Sequence, residues 1–468
     1  MCAAAAAQVS QSGTYAAPAV PTPSSIQMQM QQAQDPFAGG RVTEKATPDV
    51  LQLTLLDAIE RGLRNNLGLL VSGYGIEAAR AARLKVLADL LPNLTTLTRE
   101  SSQQVNLAAF GIPAGSGFPA IVGPFHIFDA RAFLSESLAL KSLRGYRAGQ
   151  ENERAAQLTY ANARELVVLV VGGLYLQTLA GASRVDTAQA QLNTATAVSS
   201  QAVDMRRAGT VAGIDVLRAQ VEMQAEQQRV LYTKNEFEKQ KLQLARAIGL
   251  PEAQQFVLSE KLPYQPAPPV TLEQALARAY SSRADYRSAL SRLNAAQLAK
   301  SAAQSERLPS LEFNGDYGDI GTSVFSSHGT YTASAGIRIP IFQGGKVRAD
   351  VVQADALLQQ RQAEADDLKS RVEFEVRSAM LDVQSAADQV QVAQQAVGLS
   401  HEALQQARDR FGAGVTNNIE VIQAQQAVAT AEENYITSLN AHNMAKLLLA
   451  RALGVAEQQV RTYLKGTQ

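Results

Sequence analysis

Two hydrophobic periods alternate along this chain. From Gly329 to Ile341, the residues Tyr331, Ala333, Ala335, Ile337, Ile339 and Ile341 fall on one face, and Thr330, Thr332, Ser334, Gly336 and Arg338 on the other. Such alternation marks a strand with one apolar side. Leu311, Phe313 and Tyr317 alternate with Glu312, Asn314 and Asp316 in the same way. A Gly- and Ser-rich loop near 320–328 joins the two strands, giving a hairpin over about 309–341. An equivalent hairpin is expected over about 93–139, with a longer loop holding Gly111, Pro113, Gly115, Gly117, Pro119, Gly123 and Pro124. Four such strands with open edges would aggregate. An ordinary barrel needs about eight or more strands. The pattern therefore predicts a barrel shared between chains.

The period then changes. From about Gly345 to Phe411 there is no Pro and no turn signal. A helix of some 65 residues spans roughly 100 Å. Its apolar positions form a heptad: Val372, Ala379, Ala386, Ala393, Ser400 and Ala407 in one column, and Val376, Val383, Val390, Val397, Leu404 and Phe411 in the other. A 3.5-residue period predicts coiled-coil packing. Gly412 and Gly414 then break the helix, and a second, shorter helix returns.

The chain also repeats itself, which shapes the domain reading. Leu53-Thr54-Leu55 corresponds to Val270-Thr271-Leu272, and Leu91-Pro92-Asn93-Leu94 to Leu308-Pro309-Ser310-Leu311, at the same spacing in both copies. Downstream, Ala208-Gly209-Thr210 and Ala413-Gly414-Val415 precede Ile214-Asp215-Val216 and Ile419-Glu420-Val421, again equally spaced from Gly249 and Gly454. The first repeat is expected over 51–250 and the second over 270–455. Each runs helix, hairpin, long helix, tip turn (about 207–213 and 412–418) and return helix. The initial helices cover 54–90 and 271–307 and stop at Pro92 and Pro309. A Pro-rich linker at 251–269 holds Pro263, Pro266, Pro268 and Pro269. Residues 1–50 read as a disordered segment or signal remnant, and 456–468 as a C-terminal tail. Cys2-Ala3-Ala4-Ala5-Ala6-Ala7-Gln8 resembles the end of a secretory signal; Cys2 is alternatively a lipid-bearing residue, although no lipobox precedes it.

Composition sharpens this picture. Lys and Arg number 43, as do Asp and Glu, and that balance argues against a nucleic-acid partner. A single Cys excludes an intrachain disulfide framework. No run reaches the roughly 18 consecutive apolar residues of a spanning helix; the best, Leu166 to Leu176, is broken by Gly172 and Gly173. A β-barrel escapes that test, because its strands alternate. No catalytic motif, metal-ligand spacing or cofactor fingerprint is found, so no enzyme, metal or cofactor is expected. His126, His328, His401 and His442 have no ligand spacing.

The Leu-Pro-x-Leu repeats, the stretch Ile339-Pro340-Ile341-Phe342-Gln343-Gly344-Gly345 and the turns Arg207-Ala208-Gly209-Thr210 and Phe411-Gly412-Ala413-Gly414-Val415 carry a family likeness. The chain resembles the TolC-like outer membrane factors over about 51–455. The resemblance implies an α+β membrane protein of the bacterial outer membrane, with a periplasmic helical portion. It implies a homotrimer, in which each chain gives four strands to a 12-stranded transmembrane barrel continued by a long coiled-coil helical barrel. It further implies a passive exit duct of a tripartite efflux or type I secretion system, with a periplasmic adaptor and an inner-membrane pump as partners. A soluble coiled-coil scaffold or adaptor is the competing reading.

Three residue groups are candidates. In a membrane barrel the apolar face meets lipid and the polar face lines water, which assigns Tyr331, Ile337 and Ile339 to lipid and Arg338, Glu312 and Asn314 to the lumen. Asp215 and Glu420 occupy equivalent repeat positions and are pore-gate candidates, since acidic rings favour cations. A carboxylate in a first helical turn equally serves the helix dipole. The family's gating Arg falls near Thr416 here, with Arg206, Arg207 and Arg410 nearby. Gly209, Thr210, Gly414 and Val415 are the adaptor-contact candidates by resemblance; their glycines also suit a turn after a helix.

Overall fold

The computed structural model describes residues 36–464, except 113–116, 118 and 263. The readings of Cys2, the signal-like start, Pro263 and residues 465–468 lie outside these residues.

The first half comprises β1 (Leu51–Leu53), α1 (Leu55–Asn65), α2 (Leu67–Ala88), β2 (Asn93–Asn106), β3 (Ile121–Leu138), α3 (Leu140–Arg207) and α4 (Gly213–Ile248). The second comprises β4 (Phe256–Leu258), α5 (Leu272–Ser282), α6 (Ala284–Ser305), β5 (Ser310–Gly321), β6 (Ser327–Arg338), α7 (Lys346–Gly412) and α8 (Asn418–Ala452), followed by α9 (Ala456–Leu464). Corresponding helices nearly match in length: 11 and 11 residues for α1 and α5, 22 and 22 for α2 and α6, 68 and 67 for α3 and α7, 36 and 35 for α4 and α8. The paired sequence phrases thus occupy matching places. Thr54 and Thr271 are both N-caps: the Thr54 hydroxyl accepts from the Asp57 amide and Thr271 from Gln274, each closing a capping box.

Two boundaries differ from the sequence reading. The helices expected over 54–90 and 271–307 each break once, at Asn66 and at Arg283, where ψ is 129° and 117°. The Asn66 side chain takes the Gly68 amide at 3.0 Å and donates to the Phe37 carbonyl at 2.6 Å, so it ends one helix and starts the next. The ends of the chain differ as well. The segment expected to be loose as far as residue 50 is attached from Pro36. Phe37 packs on the core, and the Arg41 amide donates to the Asn65 carbonyl at 2.7 Å. Gly40 permits this, because a Cβ there would lie 2.7 Å from the Gly249 nitrogen. The expected tail contains α9, whose Val460, Tyr463 and Leu464 are buried. The Glu165 carboxylate accepts from the amides of Ala456 (2.7 Å) and Glu457 (3.3 Å), satisfying the start of α9. Burial pushes the Glu165 carboxyl up, and these two bonds oppose that shift.

The long strands form one antiparallel sheet in the order β2-β3-β5-β6. A short parallel pair, β1 with β4, ties the first half to the linker. Only Ala139 separates β3 from α3. The strand order therefore continues into helices packed α2-α3-α6-α7. Farther along α3 and α7, α4 and α8 replace α2 and α6, giving α4-α3-α8-α7. The heptad columns of α7 face this layer. Val372, Val376, Ala379, Val383, Ala386, Val390, Ala393, Leu404, Ala407 and Phe411 are buried, while Val397 and Ser400 are half-buried. α3 does contain an 18-residue window apolar enough to cross a membrane, but 61% of it is buried within the chain. Its apolarity is accounted for by Val167, Val168, Val171 and Tyr175 in the main core.

Candidate functional site: sheet faces and helical tips

Cross-strand register decides which side chains share a face of the sheet. Leu311 lies opposite Ile337, Phe313 opposite Ala335 and Tyr317 opposite Tyr331. Leu138 and Leu134 of β3 join the same face beside Leu311 and Gly315. Tyr331, Ile337 and Ile339 are 77%, 66% and 60% exposed, so this apolar face is uncovered in the single chain. Ile339 lies just beyond the end of β6. The facing pair Tyr317 and Tyr331 lies toward the hairpin loop, where a membrane barrel places an aromatic girdle.

The opposite face carries Glu312, Asn314 and Arg338, as the alternation predicts. The structure adds what spacing alone did not reveal. The Arg338 Nε donates to Glu312 Oε1 at 2.8 Å, so these two lumen candidates neutralise each other. The same face carries Asp129, Arg131 and Asp316, with Arg131 bridging the two carboxylates at 2.6 and 3.3 Å. Their sequence signal was the i, i+2 pair in Asp129-Ala130-Arg131, which a strand places on one side.

At the far ends of α3 and α7 the two tips are closed in the same way. The Thr210 amide reaches back to the Met205 carbonyl at 2.9 Å and Gly209 to Arg206 at 3.0 Å. Val415 reaches Arg410 at 3.0 Å and Gly414 reaches Phe411 at 3.0 Å. This paired pattern is a Schellman cap, which requires the left-handed φ of 77° at Gly209 and 72° at Gly414. A Cβ on either glycine would meet nothing within 4 Å. The tips thus present open surface, with Ile214, Leu217 and Val415 exposed beside them.

Behind the tips, Val198, Ala202, Ala219, Leu404, Phe411 and Val421 form a small core of their own. Asn418 is fully buried, and its Nδ2 donates to the Asp215 carbonyl at 2.6 Å, joining the starts of α4 and α8. Asp215 and Glu420, equivalent in the sequence, differ in surroundings. Asp215 is largely buried, with Arg218 Nη1 at 3.5 Å. Glu420 is more open, 3.6 Å from Arg410. Arg206 donates to the Val211 carbonyl at the surface, at 3.5 Å, and Arg207 pairs with Asp204. Among the described residues no cluster of His, Asp and Glu is suited to a metal. His126 and His328 lie on β3 and β6, His401 pairs with Glu432, and His442 is buried against Gln265.

The model of the outer membrane efflux protein family matches residues 274–455, which span α5 through α8. Likeness extends well beyond that segment. The pyoverdine export outer membrane protein OpmQ of Pseudomonas putida is 25% identical over 426 residues, covering 87% of this chain and 86% of its own. The likeness is to outer membrane efflux proteins. Outer membrane protein OprJ of Pseudomonas aeruginosa is 26% identical over 86% of this chain and 85% of its own. In fold, the outer membrane protein VceC of Vibrio cholerae superposes with a TM-score of 0.74 at 18% identity, covering 86% of this chain and 96% of that one. These likenesses support an outer membrane location and a part in efflux, rather than a soluble scaffold.

Proposed function

We propose that this chain assembles with two copies of itself into a passive duct, the outer membrane part of a tripartite efflux system. One observation carries the reading: both lateral edges of the chain end in unpaired strands and expose large apolar side chains along their helices. On one side lie β2, α2 and α4, with Val71, Tyr74, Val221, Leu231 and Tyr232 exposed. On the other lie β6 and α7, with Phe374, Leu381, Val392 and Leu399 exposed. Unlike edges that fit one another generate a ring when the rotation closes. Three copies would give 12 strands, the number that the TolC-like resemblance implies. The apolar sheet face would meet lipid, and the face bearing Glu312, Asn314 and Arg338 would line water.

The tips are the end that we assign to the periplasmic adaptor and, through it, to the inner-membrane pump. The open glycine turns and the exposed Ile214, Leu217 and Val415 support this. Of the two gate candidates, Glu420 is better placed to act on permeating ions, since Asp215 is mostly covered. Arg410, 3.6 Å from Glu420, supports reading a charge link there.

Detergent extraction tests the assembly. The protein should fractionate with outer membranes and run as a heat-modifiable trimer, and an adaptor encoded by the same organism should co-purify with it. A detergent-free soluble monomer would refute the duct. At the tips, Gly414→Ala costs about 1 kcal/mol through φ alone. Export lost completely while trimers remain intact would place the partner contact there.

A further inference from the structure

The polar face of the sheet carries a charged group of unequal members. Arg131 holds Asp129 through Nε and Nη2, both at 2.6 Å, and reaches Asp316 on the next strand at 3.3 Å. Its guanidinium also lies 5.3 Å from the centre of the Phe133 ring. The Asp129 side chain is only 4% exposed although this face is open, because the guanidinium groups crowd it. Arg99 sits directly opposite Asp129 on β2 and behaves differently. Its guanidinium comes no closer to Asp129 than 3.9 Å and is 61% exposed. The fixed trio of Asp129, Arg131 and Asp316 carries one net negative charge, and Arg99 restores neutrality.

A staple between strands would need only the trio. Arg99 adds a compensating charge without a close hydrogen bond, so it is free to exchange its partner. We propose that Arg99 is a selectivity-determining side chain of the lumen, a movable guanidinium that engages carboxylate or phosphate groups on departing molecules. The assignment rests on the barrel reading above. A guanidinium fork matches such groups in two-pronged fashion. Asp129 competes for the same fork, which keeps the contact weak enough for release, as conduction demands. In a ring of three chains the group would recur three times at one height.

Planar-bilayer recording of the full-length protein under a KCl gradient tests this. R99Q leaves each trio uncompensated and should move the permeability ratio toward K+ by roughly three-fold, the scale of three unit charges partly screened by salt. D316N should move it by a similar factor toward Cl−. Citrate added on one side should produce flickering block in the wild type and in R99K, but not in R99Q. Unchanged selectivity and block in R99Q channels would overturn the assignment. So would failure of R99Q to form channels while R99K succeeds, which would make the charge a folding element. Wild-type protein that never conducts would instead refute the barrel itself, and the assignment with it.

Discussion

Lys446 on α8 is fully buried, and its ammonium donates to the Gln265 carbonyl of the linker at 2.9 Å. His442, one turn earlier, reaches the same carbonyl at 3.0 Å. Burial pulls Lys446 from its ordinary 10.5 down to about 8. Above 10.5 the group is neutral whether the chain is folded or not. Between 8 and 10.5 the unfolded chain binds the extra proton, so stability rises with pH. Below 8 the whole penalty, about 3 kcal/mol, is present. Lys446→Met should therefore stabilise the protein at pH 7 by about 2 kcal/mol, given that His442 still serves the carbonyl. The gain should vanish above pH 10.5, which thermal melts across pH would reveal. Arg283 marks the opposite case. It is 2% exposed at the break between α5 and α6, where it binds Asp285 at 2.7 Å and Glu375 of α7. Arg283→Met leaves the largely covered Asp285 with only Arg451, at 3.6 Å, and should cost about 3 kcal/mol in denaturant titration, with part recovered by adding Asp285→Asn. Neither residue could be singled out from the sequence, because burial of a charge is decided by elements far apart along the chain.

Elements were more legible. The heptad of α7 and the alternation of β5 and β6 are each set by one short period, and both show up directly as burial or register. The breaks at Asn66 and Arg283 were missed because each depends on a side-chain bond to another segment: Asn66 to Phe37, Arg283 to Glu375. The polar-face charges were half-read. Glu312 and Arg338 stood out in alternating stretches, whereas Arg99 and Asp316 meet Asp129 and Arg131 only through strand pairing. The seam of α7 yields its own prediction. Val390 is fully buried and Val392 is 67% exposed. Val390→Asp should collapse the helical layer and show as lost helicity by circular dichroism. Val392→Asp should spare the folded chain and weaken only its association with a neighbour. The strands yield another. Ile337→Arg places a charge in the apolar band at roughly 2–4 kcal/mol. The yield of inserted, heat-modifiable protein should fall steeply, while Ser334→Arg on the polar face should leave it unchanged.

At the scale of the whole molecule, the geometry limits how copies can meet. β2 and β6 each have one bare side, and they are the only outer strands of the sheet among the described residues. A face-to-face dimer would pair β2 with β2 and leave β6 bare in both copies, so it cannot remove all the open edges. Pairing β2 of one copy with β6 of the next covers one bare edge on each of the two copies at every contact. It ends only when the last copy meets the first. The same rotation must serve the helices, where Tyr74 and Tyr232 on one side would face Phe374 and Leu381 on the other. Closure and open-ended growth differ in a way that cross-linking can read. With Cys2 replaced by Ser, Thr96→Cys on β2 should be combined in turn with Tyr331→Cys, Ala333→Cys or Ala335→Cys on β6. Oxidation of membranes should give covalent dimers and trimers for the pair in register, and nothing larger. A ladder that continues past three chains would mean that the edges meet without closing, and the duct would then have no lumen.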